Sequence, residues 1–115
     1  MQPMINMALR AAREGSEKAL LSSVRLDRLK IVSNDPFDFC SNMDHEINDL
    51  VVSNLQRVYP THTIKSRIGK PIIGQDTEPS WYIDPLFGSL NFSKGNTSYG
   101  ISIAIEIKGN IEHSI

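Results

Sequence analysis

The stretch Trp81-Tyr82-Ile83-Asp84-Pro85-Leu86-Phe87-Gly88-Ser89-Leu90-Asn91-Phe92 carries most of the information about fold. Trp81 to Asp84 reads as a strand, with an aspartate at its end before a proline. Asp84 in that place ordinarily caps the turn by accepting backbone N–H groups. Trp81 and Tyr82 read as a core and a sheet-face residue rather than a base-stacking platform.

Working outward, Thr63 to Arg67 and Tyr99 to Lys108 are the other strand candidates. In the latter, Ile101, Ile103, Ile105 and Ile107 alternate with Ser102, Ala104 and Glu106, the period of a half-buried strand. Gly109-Asn110 predicts a hairpin turn into Ile111 to Ile115. Upstream, residues 4 to about 24 predict a helix. Pro3 opens it, Ile5, Ala8, Leu9, Ala12, Leu20 and Leu21 form its apolar side, and Gly15-Ser16 weakens its middle. Residues 33 to 38 are a loop by composition. A second helix is capped by Ser41 or Asn42, has Asp44 and Glu46 in its first turn, and ends before Pro60. Met43, Ile47, Leu50, Val51, Leu55 and Val58 give it one buried stripe. Two helices followed by strands predict an α+β fold, the helices packed on an incomplete antiparallel sheet.

The whole chain, residues 1–115, fits a single domain. Twelve Lys and Arg against 13 Asp and Glu leave a net charge of −1. That balance provides no electrostatic footprint for nucleic acid and no polybasic membrane patch, so direct nucleic-acid binding and membrane attachment are not expected. The 40% hydrophobic content suits a folded globular protein. The N-terminus has no signal-peptide pattern, and the single Cys40 excludes an internal disulfide; both predict a cytoplasmic protein. Cys40 reads as a small buried hydrophobe. His45, His62 and His113 lack metal-ligand spacing and read as surface or boundary residues.

Residues 81–92 resemble the metal-binding signature of the inositol monophosphatase family, W-x-I-D-P-[LI]-D-G-[ST]-x-N-F. Met1 to Asn6, Arg10 to Arg13, Tyr59 to Ile64, Ser102 to Ala104 and Ile107 to Gly109 are similar to the bacterial SuhB-like branch. The resemblance implies the N-terminal part of a phosphatase sandwich. Its enzymes hydrolyse phosphomonoesters, inositol 1-phosphate among them, with Mg²⁺. The SuhB-like branch also serves as a ribosomal-RNA transcription antitermination (Nus) factor.

Carried over position by position, the resemblance makes Asp84 and the Leu86 carbonyl metal ligands. Gly88 and Ser89, opening a helix, become a phosphate cradle, and Asp44 with Ser89 becomes the pair that activates water. Asp44 closes the segment Asp38-Phe39-Cys40-Ser41-Asn42-Met43-Asp44, matched to the family's D-x-V-T-x-x-D. Departures break the pattern: Ile68 stands at the second of the family's paired glutamates, a lysine expected upstream of Asp38 is displaced, and residues 35 to 37 look inserted. Phe87 stands where the signature has its second aspartate, and Arg67 stands where the family has a metal-binding glutamate. The family's second half, with a further metal-binding aspartate, lies beyond Ile115.

The site residues are therefore expected to be vestigial, with no cofactor, or Mg²⁺ if activity is retained. Arg67 either pairs with Asp84 and supplies the missing positive charge, or faces solvent. The functional expectation is a catalytically inactive binding protein. Its partner is another protein, a second copy, a full-length relative or an antitermination factor, with the strand Tyr99–Lys108 as an open edge inviting dimerisation. Residual Mg²⁺-dependent phosphomonoesterase activity and a decayed gene fragment are the alternatives.

Overall fold

A computed structural model describes residues 2–23, 26, 29–33, 40–88, 92, 94, 99–108 and 110–114. In chain order the elements are helix α1 (Gln2–Ser23), strands β1 (Ile31–Ser33) and β2 (Cys40–Ser41), and helix α2 (Asn42–Val58). Strands β3 (His62–Ser66), β4 (Asp76–Phe87), β5 (Gly100–Ile107) and β6 (Asn110–Ser114) follow. The loop expected at 33–38 lies outside the described residues from 34 on, as does Gly109.

Helix α2 is set by its ends. Ser41 is its N-cap, and the Asp44 carboxylate accepts the Ser41 N–H at 2.8 Å, half of a capping box. Asp44 in the first turn and Arg57 in the last complement the helix dipole. The Tyr59 N–H donates to the Leu55 carbonyl at 2.8 Å, and Pro60 follows. Met43, Ile47, Val51 and Leu55 are buried as the spacing predicts, whereas Val58 is exposed.

The buried face of α1 agrees with the expected one at Ala8, with Ile5 and Ala12 half-buried, and departs from it elsewhere. Met7, Ala8, Ala11, Gly15 and Ala19 face inward, and Leu9, Leu20 and Leu21 are exposed. Small residues bring the two helices close. A Cβ added to Gly15 would meet Ile101 Cδ1 at 2.7 Å, Ile47 Cγ2 at 3.2 Å and Val51 Cγ2 at 3.3 Å. Gly15 is a packing position, where the sequence suggested a weak point.

The main sheet has the order β3-β4-β5-β6. It is antiparallel across β4, β5 and β6, but β3 joins β4 in parallel, so the sheet is mixed. A short connection achieves this. After β3 the chain turns back, and Ile72 exchanges two 2.8 Å backbone hydrogen bonds with Ile64 on the outer edge of β3. It then crosses the start of β3, where the Asp76 N–H donates to the Thr61 carbonyl at 2.9 Å, and rises as β4 on the other side. Gly74 permits the crossing, because a Cβ there would sit 2.1 Å from the Thr61 carbonyl oxygen.

Strand β5 is not an edge, contrary to expectation, since β6 pairs along it. Ile107 pairs with Asn110, and Lys108 takes a φ of 53°, so the reversal starts one residue earlier than the sequence suggested. Both helices share one core with the sheet, including Ile47, Val51, Leu55, Trp81, Ile83, Ile103 and Ile105. Tyr82 and Asp84 alternate with these onto the opposite, partly exposed face.

Candidate functional site

The site forms where α2 begins and where β3 and β4 end. The β4–β5 register shifts between Asp84 and Phe87, a bulge that accommodates Pro85 and turns the backbone of Leu86. The Leu86 N–H then donates to Asp84 Oδ1 at 3.3 Å, and the Leu86 carbonyl points toward Arg67. The parallel pairing of β3 and β4 continues one step past β3, with the Arg67 N–H donating to the Ile83 carbonyl at 2.9 Å. That bond fixes the base of the Arg67 side chain beside Asp84.

The guanidinium gathers three groups. Nε donates to Asp84 Oδ1 at 2.8 Å, and one Nη donates both to Asp44 Oδ2 at 2.6 Å and to the Leu86 carbonyl at 3.1 Å. Asp44 is fully buried, while the side chains of Arg67 and Asp84 are 27% and 31% exposed. Asp44 Oδ1 is occupied as well, accepting the Ser41 N–H at 2.8 Å and the Ser41 hydroxyl at 2.9 Å. Burial alone would lower the Arg67 pKa. Its hydrogen bonds to Asp84 and then Asp44 outweigh that, holding it above the ordinary arginine value.

Of the two readings of Arg67, the geometry selects the ion pair with Asp84 and adds a second, with Asp44. The three groups the resemblance assigned to metal and water chemistry, Asp44, Asp84 and the Leu86 carbonyl, are thus brought together around one cation of the chain itself. Magnesium takes near-octahedral oxygen ligands at about 2.0–2.1 Å. Both carboxylates here already bind a guanidinium, and the described residues hold no group of three or more His, Cys, Asp or Glu able to take a metal ion.

Gly88 has a left-handed φ of 73°, and the Phe92 N–H donates to its carbonyl at 3.0 Å. Ser89 and the segment Asp38-Phe39 lie outside the described residues, as does the side chain of Phe87. Arg67 and Asp84 also line an open depression of about 350 Å³, together with Lys65, Tyr82 and Ser102. Ser41 was missed as a site residue. Its place three residues before Asp44, the spacing of a capping box, is the signal that reveals it.

Cys40 is buried as expected, and His45 is exposed. His62 is partly buried, stacked on Tyr59 at 4.6 Å with its Nδ1 accepting the Trp81 indole N–H at 3.0 Å. The side chain of His113 lies outside the described residues.

Residues 1–115 match the family described as the inositol monophosphatase family. The chain is 38% identical to the Nus factor SuhB of Pseudomonas aeruginosa and 32% identical to that of Escherichia coli K12. It is covered entirely in both comparisons but spans only 43% of either relative. Among solved structures, the extragenic suppressor protein suhB of Bartonella henselae superimposes with a TM-score of 0.90 at 25% identity, over 95% of this chain and 42% of that one. An inositol monophosphatase of Thermotoga maritima shares the fold, with a TM-score of 0.82 at 20% identity over 97% of this chain and 42% of that one. With the family match running from the first residue to the last, the chain belongs to the inositol monophosphatase family.

Proposed function

We propose that this chain is a non-catalytic, SuhB-like member of its family in which Arg67 stands where a metal cation would bind, and that it acts through protein association. The observation that carries the reading is the guanidinium held at 2.6–3.1 Å from Asp44, Asp84 and the Leu86 carbonyl. A permanent cation satisfies these oxygens and locks the start of α2 to the end of β4. It supplies no Lewis acid to polarise a phosphoryl oxygen and no bound water of lowered pKa. Asp44, with both oxygens engaged, is a structural anion rather than a base. Asp84, Leu86, Gly88 and Ser89 are on this reading vestiges of metal and phosphate sites.

Relatives that carry the name Nus factor suggest the transcription antitermination machinery, in the cytoplasm, as the setting. The partner is then a protein of that machinery, a second copy or a full-length relative. No helix among the described residues is long and apolar enough to cross a membrane.

Two measurements test the proposal together: phosphate release from inositol 1-phosphate and a generic phosphomonoester, and thermal unfolding, each with and without Mg²⁺. No Mg²⁺-dependent turnover and an unchanged Tm are expected. Magnesium-dependent phosphate release would overturn the reading and establish the residual phosphomonoesterase instead.

A further inference from the structure

Helices α1 and α2 run antiparallel. Glu14 Oε2 accepts a hydrogen bond from the Asn54 amide at 2.5 Å, and at the other end the Ser22 hydroxyl donates to Met43 Sδ at 3.4 Å. Along their shared groove lie two adjoining hollows of about 330 and 490 Å³, both bordered by Lys18, Leu21 and Glu46. Leu50 and the largely buried Met43 give the groove an apolar floor, and Leu21 beside them is left 74% exposed. Leucines exposed singly are ordinary on a protein surface; this one stands at the junction of two hollows.

The rim of the larger hollow is acidic. Among the described residues that line it, Glu14, Glu17, Glu46 and Asp49 face one cation, Lys18, which sits 3.8 Å from Glu46, while Arg10 and Arg13 share the outer side of Glu14 and Glu17. The whole chain has a net charge of only −1, so this excess of carboxylates is a local feature. An apolar floor between acidic walls, built from two antiparallel helices, has the shape and field to accept a third helix.

We propose that this groove docks a basic amphipathic helix of a partner protein. Apolar residues of the partner at helical spacing would cover Leu21, Met43 and Leu50, with lysines or arginines over Glu17 and Asp49. The sign of the rim decides the occupant: nucleic-acid phosphates are repelled, and a second copy would set acid against acid. The inference rests on the reading that the chain works by protein association, and it names the class of partner.

The test is a proton–nitrogen NMR titration of the full chain with a synthetic amphipathic peptide about 18 residues long, leucine-striped and lysine-flanked. A peptide of identical composition with the leucines scrambled is the control. Saturable shifts centred on Leu21, Met43 and Leu50 are expected, with affinity lower by about tenfold or more for the scrambled peptide, for Leu21→Asp and for Glu17→Lys with Asp49→Lys. These side chains are at the surface, and a well-dispersed spectrum of each variant shows that it still folds. Equal binding of the scrambled peptide would mean charge adhesion only and would overturn the proposal. So would shifts centred elsewhere, an unaffected Leu21→Asp variant, or groove signals that move with protein concentration alone. A chain inert toward phosphomonoesters that also ignores the peptide would refute the groove and leave the non-catalytic reading standing.

Discussion

A carboxylate with no solvent exposure needs its charge answered close by, and Asp44 is answered by Arg67 at 2.6 Å. Removing one member of a buried pair costs about 3–5 kcal/mol, because the other charge is left uncompensated. Arg67 is 27% exposed, and water entering after truncation would soften the loss. Arg67→Ala is therefore expected to destabilise the chain by about 3 kcal/mol in urea denaturation, the lower end of that range. Arg67→Lys should recover only part of this, since one ammonium cannot reproduce the separate Nε and Nη contacts. Arg67→Ala combined with Asp44→Asn should be milder than Arg67→Ala alone; a double variant no better than the single would locate the loss outside the ion pair. A second residue sets a pH dependence. Burial lowers the pKa of His62 from 6.5, and nearby Asp76 only partly opposes it. The neutral ring is the form whose Nδ1 accepts the Trp81 N–H. Stability from His62 is thus fully present above about pH 6.5 and fades as pH falls through the lowered value of the folded state. Denaturation midpoints should fall between pH 7.5 and 5.5, and less so in His62→Gln; an equal fall would assign the effect to other groups. At this scale the sequence was legible where chemistry was swapped, since a cation in place of a carboxylate announces Arg67. The reach of that cation to Asp44 was not legible, because it depends on how α2 is set against the end of β3.

Helix α2 was readable from its cap, its spacing and Pro60, since each acts within a few residues. The inner face of α1 was readable only in part. Ala8 was on the expected side, but counting large apolar residues also selects Leu20 and Leu21, while close approach to α2 and β5 selects Ala11, Gly15 and Ala19, and the approach wins. Likewise, alternation locates β3 and β4 but cannot give their relative direction, which is decided by the return through Ile72 and the crossing at Gly74. These two glycines should respond differently to alanine. At Gly15 the closest atom is the tip of Ile101, a half-buried side chain that can swing aside, and the helix gains about 1 kcal/mol from alanine. Gly15→Ala is expected to be close to neutral. At Gly74 the obstacles are the Thr61 carbonyl oxygen at 2.1 Å and the His62 carbonyl at 2.6 Å, both backbone. Gly74→Ala should cost at least the about 1–3 kcal/mol typical of overpacking. It should also speed amide exchange at Ile64, Ile72 and Asp76, whose hydrogen bonds depend on the crossing. Full protection at those amides in the variant would show that the connection tolerates a side chain.

Across the whole molecule the two sides of the sheet are managed differently. The outer edge of β3 is partly covered by Ile72, through two hydrogen bonds to Ile64. Strand β6 pairs with β5 on one side and with no other strand among the described residues on its second. An edge of this kind leaves backbone donors and acceptors to water or to another chain. The sequence placed the open edge at β5, because the isoleucine alternation there is the more conspicuous signal, and the structure moves it one strand outward. The expectation of self-association accordingly passes from β5 to β6. The apparent mass of the isolated chain, measured by light scattering over a rising concentration series, is expected to climb above that of one chain. Hydrogen exchange should slow along Asn110–Ser114 as it climbs, while β5, already paired on both sides, changes little. Growth in mass with protection gained on α1 and α2 would place the contact on the helices, and so against the groove proposed for a basic partner. A mass that stays at one chain would mean that β6 ends the sheet without help, and that association by this chain depends on a different protein.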